Sequence, residues 1–175
     1  MRKLWWMGAL GLLLALAMPA RAQNEYSTVE VYAGYDLLHV SCCGVSTNFI
    51  GGSGQVSVNL NDWAAAVAEF AGYTSSTSKV SADLLTYTFG PRVYLSRGTF
   101  RPFAQILFGG AHTDASFGGA KGSTNAVAVS MGGGVDIKIS RRLLVRPGQF
   151  EYVFSNFGGV AQNGLRYSAG IVFGF

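Results

Sequence analysis

Apolar and polar residues alternate with a period of two through most of the chain, and this alternation is clearest near its two ends. In the segment 28–38 one face carries Val29, Val31, Ala33, Tyr35 and Leu37, and the other carries Glu30, Tyr32, Gly34 and Asp36. The segment 165–175 alternates in the same way and finishes on Phe173, Gly174 and Phe175. A period of two predicts β-strands, because successive side chains of a strand point to opposite faces.

Eight segments carry this pattern, and each is predicted as a strand. Their ranges are 28–38, 47–60, 63–72, 83–96, 100–113, 124–139, 143–154 and 165–175. Short turns (61–62, 97–99 and 140–142) alternate with polar segments of about ten residues, of which 73–82, 114–123 and 155–164 are predicted as loops. Short turns at one end and longer loops at the other are typical of outer-membrane barrels. The fold class predicted is therefore all-β: an eight-stranded, antiparallel, up-and-down transmembrane β-barrel.

Two places depart from simple alternation. Arg146 and Gln149 are three residues apart, yet both have the character of interior residues, and Pro147-Gly148 lies between them. We interpret this as a β-bulge, since proline removes a ladder donor and glycine tolerates the kink, with an irregular strand edge as the alternative. In the third strand, an inward Glu69 predicts an inward Trp63 and an outward Phe70.

The first 22 residues have the pattern of a secretory signal peptide. Arg2 and Lys3 precede an apolar stretch from Leu4 to Met18, and Ala20-Arg21-Ala22 matches an A-x-A cleavage site. The alternative is an N-terminal membrane anchor, but the apolar run is shorter than the about 20 residues that a spanning helix needs. We therefore expect a signal peptide over 1–22 and one barrel domain over 23–175.

The composition agrees with a membrane barrel and argues against nucleic-acid binding. Charged residues make up 13% of the chain, about half the usual share in a soluble domain. Loss of Arg2, Lys3 and Arg21 with the signal peptide lowers the formal net charge from +4 to +1. Beyond Arg141-Arg142 no basic cluster remains in the sequence, so no nucleic-acid partner is expected.

Several segments resemble a known family. They are 57–63 (SVNLNDW), 89–92 (FGPR), 101–112 (RPFAQILFGGAH), 132–136 (GGGVD) and 166–173 (RYSAGIVF). These look like the small outer-membrane β-barrel (porin-like) family, which is similar to the transmembrane domain of outer membrane protein A, and the resemblance covers essentially the whole of 23–175. It implies a place in the cell outer membrane of a Gram-negative envelope, and the even strand number then puts both termini on the periplasmic side.

The resemblance also implies partners. The last residues are similar to the family's C-terminal assembly signal, formed here by Tyr167, Ile171, Phe173 and Phe175. Such a signal implies recognition by the barrel assembly machinery. The other expected partners are outer-membrane lipid and lipopolysaccharide, together with an extracellular ligand bound through the loops. We expect a monomer without a cofactor or a metal.

Charged residues on the inward face are the main candidate site. By strand phase they are Glu30, Asp36, Glu69, Arg92, Asp136, Lys138, Arg146, Glu151 and Arg166. An eight-stranded barrel is just wide enough for its own side chains to fill, and buried charges persist when they are paired and hydrogen-bonded. The simplest interpretation is an internal salt-bridge plug. The alternative is a narrow polar channel or a ligand pocket.

Cys42 and Cys43 are adjacent in the first predicted loop. An envelope location permits disulfides, but neighbouring α-carbons lie about 3.8 Å apart, which makes a vicinal disulfide strained. An intermolecular bridge is a second possibility. A metal site with His39 is a third, although three candidate ligands within five residues form a weak signal.

Catalysis is the remaining alternative. Some small barrels of the outer membrane modify lipid A and need a serine, a histidine and a carboxylate near the outer rim, and His112, Asp114 and Ser116 cluster at the end of the fifth predicted strand. Alternate residues of one strand cannot converge without a bend, so we expect no enzyme. The function predicted first is a structural or surface-interaction barrel with a filled interior and exposed loops. A narrow porin-like channel for small solutes is the alternative, and a lipid A-modifying enzyme ranks below it.

Overall fold

The computed structural model is a closed antiparallel barrel, described for residues 27–42, 45–77, 80–96, 98–117, 120–157 and 160–175. Its strands are β1 (Val29–Cys42), β2 (Val45–Asn59), β3 (Ala64–Thr77), β4 (Val80–Tyr94), β5 (Phe100–Phe117), β6 (Ala120–Lys138), β7 (Leu143–Phe157) and β8 (Val160–Gly174). Each strand pairs with its neighbours in chain order, and β8 closes on β1. The described residues include no helical segment with the length and hydropathy of a membrane span.

The two ends of the barrel are built differently. Glu30 of β1 pairs with Gly174 of β8, so the first and last strands meet where the connections 60–63, 95–99 and 139–142 also lie. We call this the turn end. The opposite end, which we call the hairpin end, is where β1–β2, β3–β4, β5–β6 and β7–β8 are each connected by two residues. An even number of strands brings both termini to the turn end.

The loops predicted from the sequence at the hairpin end are wrong. Segment 73–82 continues β3 through Thr77 and resumes as β4 at Val80, and the segments 114–123 and 155–164 are likewise mostly strand. The first predicted loop also shortens, because β1 reaches Cys42 and β2 starts at Val45. These residues are rich in Ser, Thr, Gly and Ala and lack apolar alternation, although backbone pairing with the neighbouring strand still holds them extended.

The turn before β3 corrects a second prediction. The side-chain oxygen of Asn61 accepts hydrogen bonds from the backbone N–H groups of Trp63 (3.0 Å) and Ala64 (2.7 Å). Because the turn continues through Trp63, strand alternation does not apply to that residue, and its side chain is 61% exposed rather than inward. Glu69 is buried and Phe70 faces outward, as predicted.

Strand phase follows the sequence closely in the regular strands. In β4 the outward residues are Leu85, Tyr87, Phe89 and Val93, and the buried ones are Thr86, Thr88, Arg92 and Tyr94. The predicted bulge in β7 is confirmed: the β7–β8 register shifts between Arg146 and Gln149, and the β6–β7 register shifts around Asp136. The bulge lets Arg146 and Gln149 both point inward although three residues separate them.

Candidate functional site

The barrel interior is polar and densely connected, and it forms the candidate site. Of the nine inward charges predicted from the sequence, the structure buries Glu30, Asp36, Glu69, Arg92, Asp136, Arg146, Glu151 and Arg166, each at most 3% exposed. Lys138 is only half-buried, at the turn end of β6. Charges taken out of water need hydrogen-bonded partners, so the contacts of these residues decide what the interior can do.

At the turn end, Glu30 is the centre of a small cluster. Its Oε1 receives hydrogen bonds from Arg101 (2.9 Å) and from the side-chain amide of Asn59 (3.2 Å), and its Oε2 accepts one from the Tyr94 hydroxyl (3.2 Å). The Arg101 guanidinium also lies over the Tyr94 ring, 4.8 Å from its centroid. This cluster ties β1 to β4 and β5 across the barrel.

In the middle of the barrel, Arg146 is completely buried and fully engaged. Its Nε and one terminal nitrogen donate to the two carboxylate oxygens of Asp136, at 2.6 and 3.1 Å, in the bidentate geometry that suits a guanidinium. Its other terminal nitrogen donates to Gln149 (2.6 Å) and to Gln55 (2.9 Å). The bulge in β7 brings Gln149 into this set.

Arg92 is bound by amides and an aromatic ring. Its Nε donates a hydrogen bond to the side-chain oxygen of Gln105 at 2.8 Å. A terminal nitrogen of the same guanidinium donates to the side-chain oxygen of Gln55. Its guanidinium lies 4.4 Å from the centroid of the Phe103 ring, and that of Arg146 lies 4.5 Å from the same centroid. Cation–π contacts of this kind are strengthened by burial.

Arg166 closes the network on the side of the hairpin end. It contacts the carboxylate of Glu151 from two nitrogens, one of them Nε at 2.8 Å. It also forms an ion pair with Glu69 (2.6 Å) and donates to the Tyr73 hydroxyl (2.9 Å). Glu69 in turn accepts from Gln55 (2.6 Å), which connects this group to Arg92 and Arg146.

We call this set the central network. Its members are Gln55, Glu69, Arg92, Gln105, Asp136, Arg146, Gln149, Glu151 and Arg166. Gln105 and Gln149 both donate to Glu151, at 2.8 and 2.7 Å, so the amides relay hydrogen bonds between charges that do not touch. Each strand from β2 to β8 contributes at least one side chain to the network, and β1 contributes none, so the network crosses the barrel interior.

Asp36 of β1 is buried outside the central network. Its Oδ1 accepts a hydrogen bond from Ser53 (2.9 Å), whereas its Oδ2 has no hydrogen-bond partner. The hydroxyl oxygens of Tyr32 and Ser168 are also without one, and Ser168 lies directly opposite Asp36 on β8. No ion pair within the described residues includes Asp36.

Sequence reasoning missed several members of the interior, among them Arg101, Gln55 and Gln105. In β5 the inward positions 103 and 107 hold Phe and Leu, so both faces of that strand are apolar and its phase is not marked. Gln55 lies on the same face of β2 as Ser53 and Ser57, and this polar face was a usable signal for an inward position. An uncharged amide does not stand out, however, in a search for charged residues.

The other candidate residues lie elsewhere. Ile171, Phe173 and Phe175 face outward at the turn end, and the Phe173 and Phe175 rings contact each other with centroids 5.1 Å apart. Tyr167 packs against Phe150 at 5.0 Å and donates to the Pro147 carbonyl (2.7 Å).

The cysteines and the proposed catalytic trio receive little support as sites. Cys42 pairs with Val45 through the backbone, but its side chain and all of Cys43 lie outside the described residues. No group of three His, Cys, Asp or Glu residues in the described part of the chain is arranged to hold a metal. His112, Asp114 and Ser116 follow one another along β5, where alternate positions are about 6.6 Å apart.

The family can now be assigned from the whole chain. The model of the outer membrane protein beta-barrel domain matches residues 8–174. The chain belongs to this family. It is therefore an outer-membrane protein, and the eight-stranded barrel predicted from the sequence is confirmed. No curated protein sequence matches the chain.

Solved structures of small barrels share the fold of this outer-membrane protein. Neisserial surface protein A superimposes with a TM-score of 0.67 at 15% identity, over 85% of this chain and 98% of that one. Ail, the attachment invasion locus protein of Yersinia pestis, gives 0.60 at 15% identity over 85% and 99%. OprG from Pseudomonas aeruginosa gives 0.54 at 9% identity over 87% and 99%. At these identities the likeness concerns the fold alone.

Proposed function

We propose that this outer-membrane barrel is a non-conducting structural and surface-interaction protein without catalytic activity. The observation that carries the proposal is the central network, in which Arg92, Arg146 and Arg166 and their hydrogen-bonded partners connect the strands across the barrel interior. An ion crossing this layer would have to break several buried, charge-assisted hydrogen bonds, which are among the stronger interactions in proteins. The polar strand extensions at the hairpin end are the surface left for a partner.

The arrangement of the chain in the envelope is part of the proposal. A signal peptide over 1–22 would be removed, and the barrel domain over 23–175 would be inserted as a monomer with both termini periplasmic. The outward aromatic side chains of β8 and Phe175 support recognition by the barrel assembly machinery. Outward residues such as Phe70, Phe89 and Ile106 support contact with lipid, and lipopolysaccharide would surround the hairpin end.

Single-channel recording tests this function. The protein, purified from outer membranes and inserted into planar bilayers, is expected to give no steady openings. Glu151→Gln and Arg92→Gln are the informative variants because both residues belong to the central network. Asp83→Asn is a matched control on the outward face of β4.

The contrary result is equally specific. Steady openings whose conductance or ion selectivity changes in Glu151→Gln or Arg92→Gln, but not in Asp83→Asn, would show that the interior charges line a pore. The porin-like alternative would then replace the structural function.

A further inference from the structure

A cavity lies inside the barrel between the central network and the hairpin end. Its volume is about 420 Å³, within the about 300–1,000 Å³ of small-molecule sites. The walls are mainly apolar, and they include Leu38, Val40, Phe49, Leu84, Ala111 and Val153. An apolar cavity of this size favours an occupant with a hydrocarbon body.

The floor of the cavity is polar, and its two charged groups are paired with each other. Glu69 and Arg166 line it and form an ion pair (2.6 Å), and Glu151 also contacts Arg166. Arg166 already uses Nε and both terminal nitrogens on Glu151, Glu69 and Tyr73. Because the guanidinium is fully engaged and the Glu69 carboxylate is paired with it, the floor offers no free counter-charge to an anionic or a cationic head group.

Thr88 supplies an unused polar group at the same place. Its side chain lines the cavity, is 7% exposed, and its Oγ1 has no hydrogen-bond partner. Thr88 lies directly opposite Glu69 in the β3–β4 register, and both side chains are inward. A buried hydroxyl without a partner costs free energy, which a ligand could recover.

We propose that this cavity binds a small, uncharged, apolar molecule carrying a hydroxyl group, that is, an aliphatic alcohol or a phenol. The ligand hydroxyl accepts a hydrogen bond from Thr88 and donates one to the Glu69 carboxylate, whose oxygens retain free lone pairs. The hydrocarbon part lies against the apolar wall. This binding site is additional to the structural function and does not depend on whether the barrel conducts.

Methyl NMR tests the proposal. The protein is purified from outer membranes, placed in lipid nanodiscs and titrated with 1-octanol, octanoate or octylamine as the probe. Methyl resonances of Leu38, Leu84 and Val153 report the cavity. Outward methyl groups of Leu85, Ile106 and Leu165 report partition of the probe into lipid. We expect saturable shifts at the cavity methyls with 1-octanol, at concentrations at least tenfold below those needed for octanoate or octylamine.

Three variants separate specific binding from partition. Thr88→Val keeps the shape of the side chain and is expected to weaken 1-octanol binding roughly fivefold, the effect of one hydrogen bond. Thr99→Val, on an exposed turn at the other end, is the matched control and should leave the affinity unchanged. Ala128→Leu, which fills the cavity, should abolish the saturable shifts while the outward methyl spectrum still reports a folded barrel.

Three results would overturn the proposal. They are the absence of saturable shifts at the cavity methyls, binding of octanoate or octylamine at least as tight as that of 1-octanol, and a Thr88→Val affinity equal to that of Thr99→Val.

Discussion

Asp36 and Glu151 are both buried carboxylates, but their surroundings differ. Glu151 accepts hydrogen bonds from Arg166, Gln105 and Gln149. Asp36 has a single donor, Ser53, and its second oxygen has none. An ionised carboxylate with so few partners costs free energy when it is buried, whereas removing a well-connected one leaves its buried donors without an acceptor, which is strongly destabilising.

Neutralising the two carboxylates should therefore have opposite effects. Asp36→Asn keeps an oxygen for Ser53 and gains an amide that can donate to Ser168 across the strand pair, so we expect a free energy of unfolding higher by about 1 kcal/mol. Glu151→Gln removes one of the two carboxylates that pair with the buried Arg166 and should lower the free energy of unfolding by about 3–5 kcal/mol. Reversible urea unfolding in phospholipid vesicles measures both. A loss of stability in Asp36→Asn would show that the charge of Asp36 is compensated in the folded barrel.

At the level of single strands, the bulge in β7 is held from outside as well as from inside. Pro147 lacks an N–H group, and its carbonyl oxygen accepts a hydrogen bond from the hydroxyl of Tyr167 on β8. The Tyr167 ring packs on Phe150 in the strand that carries the bulge. These contacts fix the segment from which Arg146 and Gln149 reach the interior.

Removal of the Tyr167 hydroxyl should lower the free energy of unfolding measurably. Tyr167→Phe retains the ring packing and loses the bond to Pro147, so we expect about 1 kcal/mol less stability in the same urea experiment. Tyr152→Phe, another outward tyrosine, on β7 itself, is the matched control and should change the stability little. Equal effects of the two substitutions would mean that the bulge does not depend on the Tyr167 hydroxyl.

How far the sequence predicts each strand depends on which environment its outward face meets. In β4 one face is apolar and the other is polar. There, alternation correctly predicts which side chains between Leu85 and Leu95 point outward and which are buried. At the hairpin end the strands continue as Ser- and Thr-rich segments without an apolar face, and there the pattern was mistaken for loops. The bulge was predictable because Pro147-Gly148 marks it in the sequence.

The interior contacts were less predictable than the phase. Alternation predicts that Glu69, Glu151 and Arg166 point inward, but it contains no information on which charges meet across the barrel. The role of the amides follows from distances between strands far apart in sequence, such as Gln55 to Arg146 (2.9 Å). Such pairings depend on the register of all eight strands together.

The barrel as a whole is longer than a membrane requires. Strands β5 and β6 have 18 and 19 residues, whereas a tilted strand crosses a bilayer with about 9–11. The large outward apolar residues of β5 end at Phe108, and the strand continues to Phe117. The excess length is therefore at the hairpin end, away from both termini.

This asymmetry predicts the orientation of the protein in the outer membrane. Outer-membrane barrels carry the larger of their extramembrane parts on the extracellular side. Here that part is the strand extension at the hairpin end, although its connections are short, so the hairpin end should face outward. An epitope inserted between residues 118 and 119 should bind antibody on intact cells. The same epitope inserted after Gly98, in the β4–β5 turn, should be detected only after the outer membrane is permeabilised. Surface detection of the Gly98 insertion alone would place the termini outside, and the hairpin end could then not serve as the interaction surface.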